Sequence, residues 1–135
     1  MLRSILAVVL GIIVGGITVG VVEFTGHTIY PPPPDLDASN REALSAYIAT
    51  APIAVLLFVM AAWVLGAFTG GLVAAWIGRR APVVHALIIG GFILLSGIAS
   101  MLYYPHPAWF WVVGIVTVPS AAYAAARLVG PSRTV

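Results

Sequence analysis

The chain is 135 residues long, 61% hydrophobic and only 7% charged, where a soluble domain carries roughly 45–50% and roughly 25%. Its six basic residues are all arginines, its acids are Glu23, Asp35, Asp37 and Glu42, and the formal charge is +2. That balance excludes a nucleic-acid footprint, which needs clustered Lys and Arg, and the lack of cysteine excludes disulfides, thiolate metal sites and c-type haem.

An integral membrane protein of the all-α class remains, and its missing charges mark the spans. Crossing the hydrocarbon takes about 20 apolar residues at about 1.5 Å rise each. Segments 4–22, 43–78 and 81–126 contain no Asp, Glu, Lys or Arg. The last is too long for one helix, and Tyr104-Pro105-His106-Pro107 divides it, since proline lacks the N–H donor and pushes its predecessor out of helical geometry. A single transmembrane domain over 1–135 follows, a four-helix bundle with helices at 4–29, 52–78, 82–104 and 107–129. The runs are continuously apolar rather than alternating, so barrel strands are excluded.

The first helix is read as retained rather than as a signal peptide. Its apolar part exceeds the usual ~7–15 residues and no Ala-x-Ala site closes it. Arg3 precedes it, Arg79-Arg80 separate the second and third helices, and Arg127 and Arg133 end the fourth. The positive-inside rule therefore predicts that both termini and the Arg79-Arg80 loop are cytoplasmic.

Loop 30–51 lies on the outer side. Pro31–Pro34 can only be extended or turned, which makes it a stiff spacer or a proline-recognition ligand. Ser39-Asn40-Arg41-Glu42 has the capping-box form. Leu44, Tyr47, Ile48 and Ala51 then follow helical spacing, predicting a short amphipathic helix in the outer interface.

Small residues mark helix contacts in lipid. Gly16 and Gly20 are expected to form the seam of the first helix, and Gly66 and Gly70, with Ala62 and Ala74, that of the second. Gly90 and Gly97 mark the third, and Gly114, Ala121 and Ala125 the fourth. These seams serve either the bundle or contacts with further copies. Ile13-Val14-Gly15-Gly16 matches Ile88-Ile89-Gly90-Gly91, which would make the chain a parallel two-plus-two repeat.

An ionisable residue inside the membrane points to function. Glu23 lies about 27 Å along the first helix, just inside the outer boundary. At 100° per residue, Gly16, Gly20, Glu23, His27 and Tyr30 fall within about 40° of one line, giving a carboxylate–imidazole–phenol column at the outer mouth. This column is either a binding site or a structural hydrogen-bond cluster. His106, in the Pro105–Pro107 turn, could join Glu23 and His27 as metal ligands, and a haem would need His85, which lies at the other end. Tyr30, Tyr47, Tyr103, Tyr104, Trp109, Phe110 and Trp111 form the aromatic belt of the outer boundary. Pro119, beside Thr117 and Ser120, is expected to kink the fourth helix. The hydroxyls below Glu23 (Thr18, Thr69, Ser96, Ser100, Thr117 and Ser120) offer no charged path.

Glu23-x-x-x-His27-x-x-Tyr30-Pro, with Pro105-His106-Pro107-Ala108-Trp109-Phe110-Trp111, resembles a group of small bacterial inner-membrane proteins of four helices. The resemblance implies that topology and a bacterial membrane, and it brings no activity, ligand or site.

The favoured reading is transport of a small solute or ion, or service as a membrane-complex subunit, by a homo-oligomer with its polar centre at Glu23 and His27. No catalytic residues and no cofactor are predicted. The alternative is a metal- or haem-binding redox or accessory protein that uses Glu23, His27 and His106.

Overall fold

Five helices follow one another in the computed structural model, which describes residues 1–130. They are α1 (Leu2–Ile29), α2 (Arg41–Thr50), α3 (Ile53–Ile77), α4 (Pro82–Tyr103) and α5 (Ala108–Val129). All but α2 are long and apolar enough to cross a membrane.

Helix α3 is the centre of the bundle and packs on α1, α4 and α5, whereas α1 and α5 flank it without touching. Close approaches give the directions. Gly11 and Gly15 of α1 meet Gly70 and Gly66 of α3, so these two helices are antiparallel. Gly97 of α4 meets Trp63, and Gly71 meets Ala86, so α4 also runs against α3. The interior is filled chiefly by Trp63, Phe110, Ile89, Ile93, Met60 and Val118. Trp63 and Phe110 meet edge to face with centroids 5.4 Å apart, a favoured aromatic geometry.

The seam of α1 differs from the expected one. Its buried small residues are Ala7, Gly11, Gly15 and Gly26. A Cβ built on Gly16 or Gly20 would meet no atom within 4 Å. The successive pairs 11/15 and 16/20 are both four apart and lie about 140° out of phase, and backbone contact selects the first. On α3, Gly66 and Gly70 pack as expected: a Cβ on Gly70 would lie 2.5 Å from the Gly11 carbonyl oxygen. Gly90 and Gly97 serve different partners, Ala122 of α5 and the Trp63 ring of α3. Gly114 faces Met60 more loosely, at 3.5 Å. Ala122 rather than Ala121 is the buried alanine that packs on both α3 and α4. In both Gly-Gly pairs of the apparent repeat, the first glycine is packed and the second (Gly16, Gly91) faces open space. Helix α5 continues unbroken through Pro119.

Helix α2 forms where its apolar spacing predicts, but its cap is Asn40 rather than Ser39. The Asn40 side chain accepts from the N–H groups of Glu42 and Ala43 at 3.0 and 3.2 Å. Ser39 is engaged one step earlier, donating from its backbone N and its hydroxyl to Asp37 at 2.9 and 2.6 Å. These bonds hold the Asp37 carboxyl below the usual carboxylate range.

Candidate functional site

A cavity of about 560 Å³ lies between α1, α3 and α4. Helices α1 and α4 approach closely near Gly11–Ile89 and Gly15–Ile93. Beyond that level the two helices leave a gap that Gly16, having no side chain, does not fill. Gly16, Val19, Glu23 and His27 form its α1 wall, Leu56, Val59 and Trp63 its α3 wall, and Phe92, Ser96 and Ser100 its α4 wall. Tyr104 and His106 border the cavity beyond the end of α4, and Leu44, Tyr47 and Ile48 of α2, with Ala51 just after that helix, cover it.

Glu23 is half-buried. Its carboxyl has two polar neighbours, the His27 imidazole one turn along α1 and the Trp63 indole N–H across the interface. His106 is fixed by its own turn. Its Nδ1 donates to the Tyr104 carbonyl at 2.9 Å, since a carbonyl can only accept, and its ring lies 4.9 Å from that of Phe110. In the neutral imidazole that tautomer leaves Nε2 as the acceptor.

Gly16, Glu23, His27 and His106 therefore line one cavity, while Gly20 and Tyr30 do not. The Tyr30 backbone N–H closes α1 on the Gly26 carbonyl at 2.8 Å, and its ring packs against Phe58 with centroids 6.0 Å apart. The expected column thus ends at His27. Among the described residues no group of three His, Asp or Glu side chains could hold a metal ion, so Glu23, His27 and His106 share a cavity without forming a ligand set. His85 is buried at the opposite end, its Nδ1 2.8 Å from the Ala81 carbonyl oxygen. Most of α4, a rise of about 27 Å from His85 to Tyr103, separates it from His106.

The hydroxyls do not build a polar path. Thr18, Thr69, Ser96, Thr117 and Ser120 each donate to a carbonyl four residues back. Thr18 and Thr69 also lie 2.8 Å apart across α1 and α3, where one hydroxyl can donate to the other in place of its own carbonyl, and Ser100 borders the cavity.

No family model, curated protein or solved structure matches the chain.

Arg41 ties the start of α2 to the end of α4. Arg41 donates to the Tyr103 carbonyl at 3.2 Å, and its guanidinium sits 4.1 Å above the Tyr103 ring. A cation at the carboxyl end of α4 is also favoured by the helix dipole. The partners are 62 residues apart, so no local pattern could have joined them. Arg41→Ala should release α2 by about 1 kcal/mol, roughly a fivefold rise in opening. Proteolysis of the 30–51 segment in detergent measures it, and an unchanged cleavage rate would show that α2 is held elsewhere.

Proposed function

We propose that the chain is a multi-pass protein of a bacterial inner membrane that binds a small, largely apolar solute carrying a polar or cationic group. It would act in transport or as a binding subunit, as a homo-oligomer or within a larger membrane complex. The observation that carries the binding role is the cavity holding Glu23. Its volume falls within the ~300–1,000 Å³ range of small-molecule sites. A carboxylate set among Trp63, Phe92, Tyr47 and Tyr104 suits an organic cation, which gains from both the charge and the aromatic faces. The placement of Arg3, Arg79, Arg80 and Arg127 supports cytoplasmic termini. In that orientation the mouth near His27 and His106 opens to the periplasm and α2 lies in the outer interface.

The test is binding of tetraphenylphosphonium to the purified protein, measured by equilibrium dialysis. Glu23→Gln should weaken binding at least about tenfold, or ~1.4 kcal/mol, and neutral triphenylphosphine oxide should lose little. Equal affinity of the native and Glu23→Gln proteins for the cation would refute the assignment.

A further inference from the structure

The opposite end of the bundle carries a second constellation that plays no part in the cavity. Met1, Arg3 and Ser4 of the α1 start, Gly78, Arg79 and Arg80 of the α3–α4 turn, and His85 of α4 border one pocket of about 230 Å³. Arg3 is pinned there: its Nε donates to the Ile77 carbonyl at 2.6 Å, which holds the guanidinium at the carboxyl end of α3. All four Asp and Glu residues of the chain lie between positions 23 and 42. The nearest along α1, Glu23, is about 30 Å from Arg3. Three guanidinium groups thus share a pocket that no acidic side chain neutralises. Helix α1 also begins at this end without a side-chain cap, so its positive dipole end adds to the field there.

An apolar groove continues from this pocket. Arg3 and Arg79 border a smaller recess with Trp76 and Ile77. Arg79 and Trp76 also border a groove of about 480 Å³ that runs between α3 and α5 beside Leu72, Val73, Leu128 and Val129. Trp76 is 60% exposed, and the Arg79 guanidinium lies 5.9 Å from its ring centroid. A cationic pocket and an apolar groove therefore meet at Arg79, the arrangement that an anionic head on a hydrocarbon chain would fill. Arginine suits the head, because its fork matches phosphate oxygens in pairs.

We propose that this end of the protein is a binding site for an anionic phospholipid. Its phosphate contacts Arg3, Arg79 and Arg80, and one acyl chain lies in the groove beside Trp76 and Leu128. Topology alone would require only that the arginines reach water. Their convergence on one pocket with an attached groove adds a defined occupant. Free phosphate offers the same head chemistry, but it would leave the groove unused.

The test uses the full chain reconstituted in vesicles containing either phosphatidylglycerol or phosphatidylcholine with brominated acyl chains, which quench nearby tryptophan. The Trp76 signal is the difference between the native chain and Trp76→Phe. Phosphatidylglycerol should quench that signal selectively, with about fivefold local enrichment for each arginine engaged. Arg79→Gln and, independently, Arg3→Gln should reduce the preference, while Arg79→Lys should keep most of it. Far-ultraviolet circular dichroism confirms that each variant is folded. Equal quenching by the two lipids, or a preference unchanged in both glutamine variants, would overturn the proposal. Loss of the preference on adding millimolar inorganic phosphate at constant ionic strength would assign the pocket to a free anion instead.

Discussion

Gly70→Ala should cost the protein about 3 kcal/mol, the upper end of what overpacking removes. Gly16→Ala and Gly20→Ala should leave stability unchanged or raise it by up to about 1 kcal/mol. The contrast follows from what each new methyl group would meet. At Gly70 it would press on the Gly11 carbonyl oxygen at 2.5 Å, on the Gly15 Cα at 3.0 Å and on the Ile89 Cγ2 at 3.0 Å. Two of these are backbone atoms of α1, which no rotamer change can move, so the whole α1–α3 interface must separate. Helices in lipid are held by close packing rather than by apolar burial, and separation therefore removes the attraction itself. At Gly16 and Gly20 there is no neighbour to displace, and alanine only favours the helical backbone. Unfolding midpoints in mixed detergent and SDS measure all three variants. A Gly70→Ala midpoint equal to that of the native chain would mean that α1 does not pack through this contact. A lower midpoint for Gly20→Ala would reveal a neighbour from outside the chain.

The same pair of registers shows where sequence reading stops. The spans could be read because hydrocarbon tolerates so few ionised groups that runs such as 81–126 mark themselves. Helix ends then fall within two residues of those expected, with Leu2–Ile29 for 4–29 and Ala108–Val129 for 107–129. Prolines at 105 and 107 supplied the last boundary through their missing donors. The face of α1 that packs was not legible, because Gly11-x-x-x-Gly15 and Gly16-x-x-x-Gly20 are equivalent as patterns. Only the position of Gly66 and Gly70 opposite them distinguishes the two. Similarly, Ser39 fits the capping-box pattern, yet it is drawn into the preceding turn by Asp37 and yields the cap to Asn40. The line through Gly16, Glu23 and His27 was legible as a line. That it borders open space rather than a packed helix depends on how α1 and α4 diverge, which no residue records by itself. Arg41 over Tyr103 and the convergence of Arg3 with Arg79 are likewise properties of the assembled chain.

Trp63→Ala should be the most damaging single truncation, costing about 3–5 kcal/mol. Trp63 is only 6% exposed, and it serves three elements at once. Its six-membered ring occupies the notch left by Gly97, where a Cβ would lie 2.6 Å from Cζ3. Its ring system meets Phe110 edge to face, and its indole N–H is within reach of the Glu23 carboxyl. Truncation would leave a void facing Gly97 and join it to the existing cavity, so the lost contacts of α3 with α4 and α5 could not be recovered by local collapse. Trp63→Phe separates the two roles of this side chain. It keeps an aromatic ring for Phe110 and should retain most of the stability, but it removes the indole N–H beside Glu23. If the cavity binds its ligand through a positioned carboxylate, Trp63→Phe should weaken tetraphenylphosphonium binding, measured by equilibrium dialysis, while its unfolding midpoint stays near native. Trp63→Ala should lose both. A loss below about 1 kcal/mol in Trp63→Ala would place the packing centre of the bundle elsewhere, since surface positions commonly cost no more than about 0.5 kcal/mol.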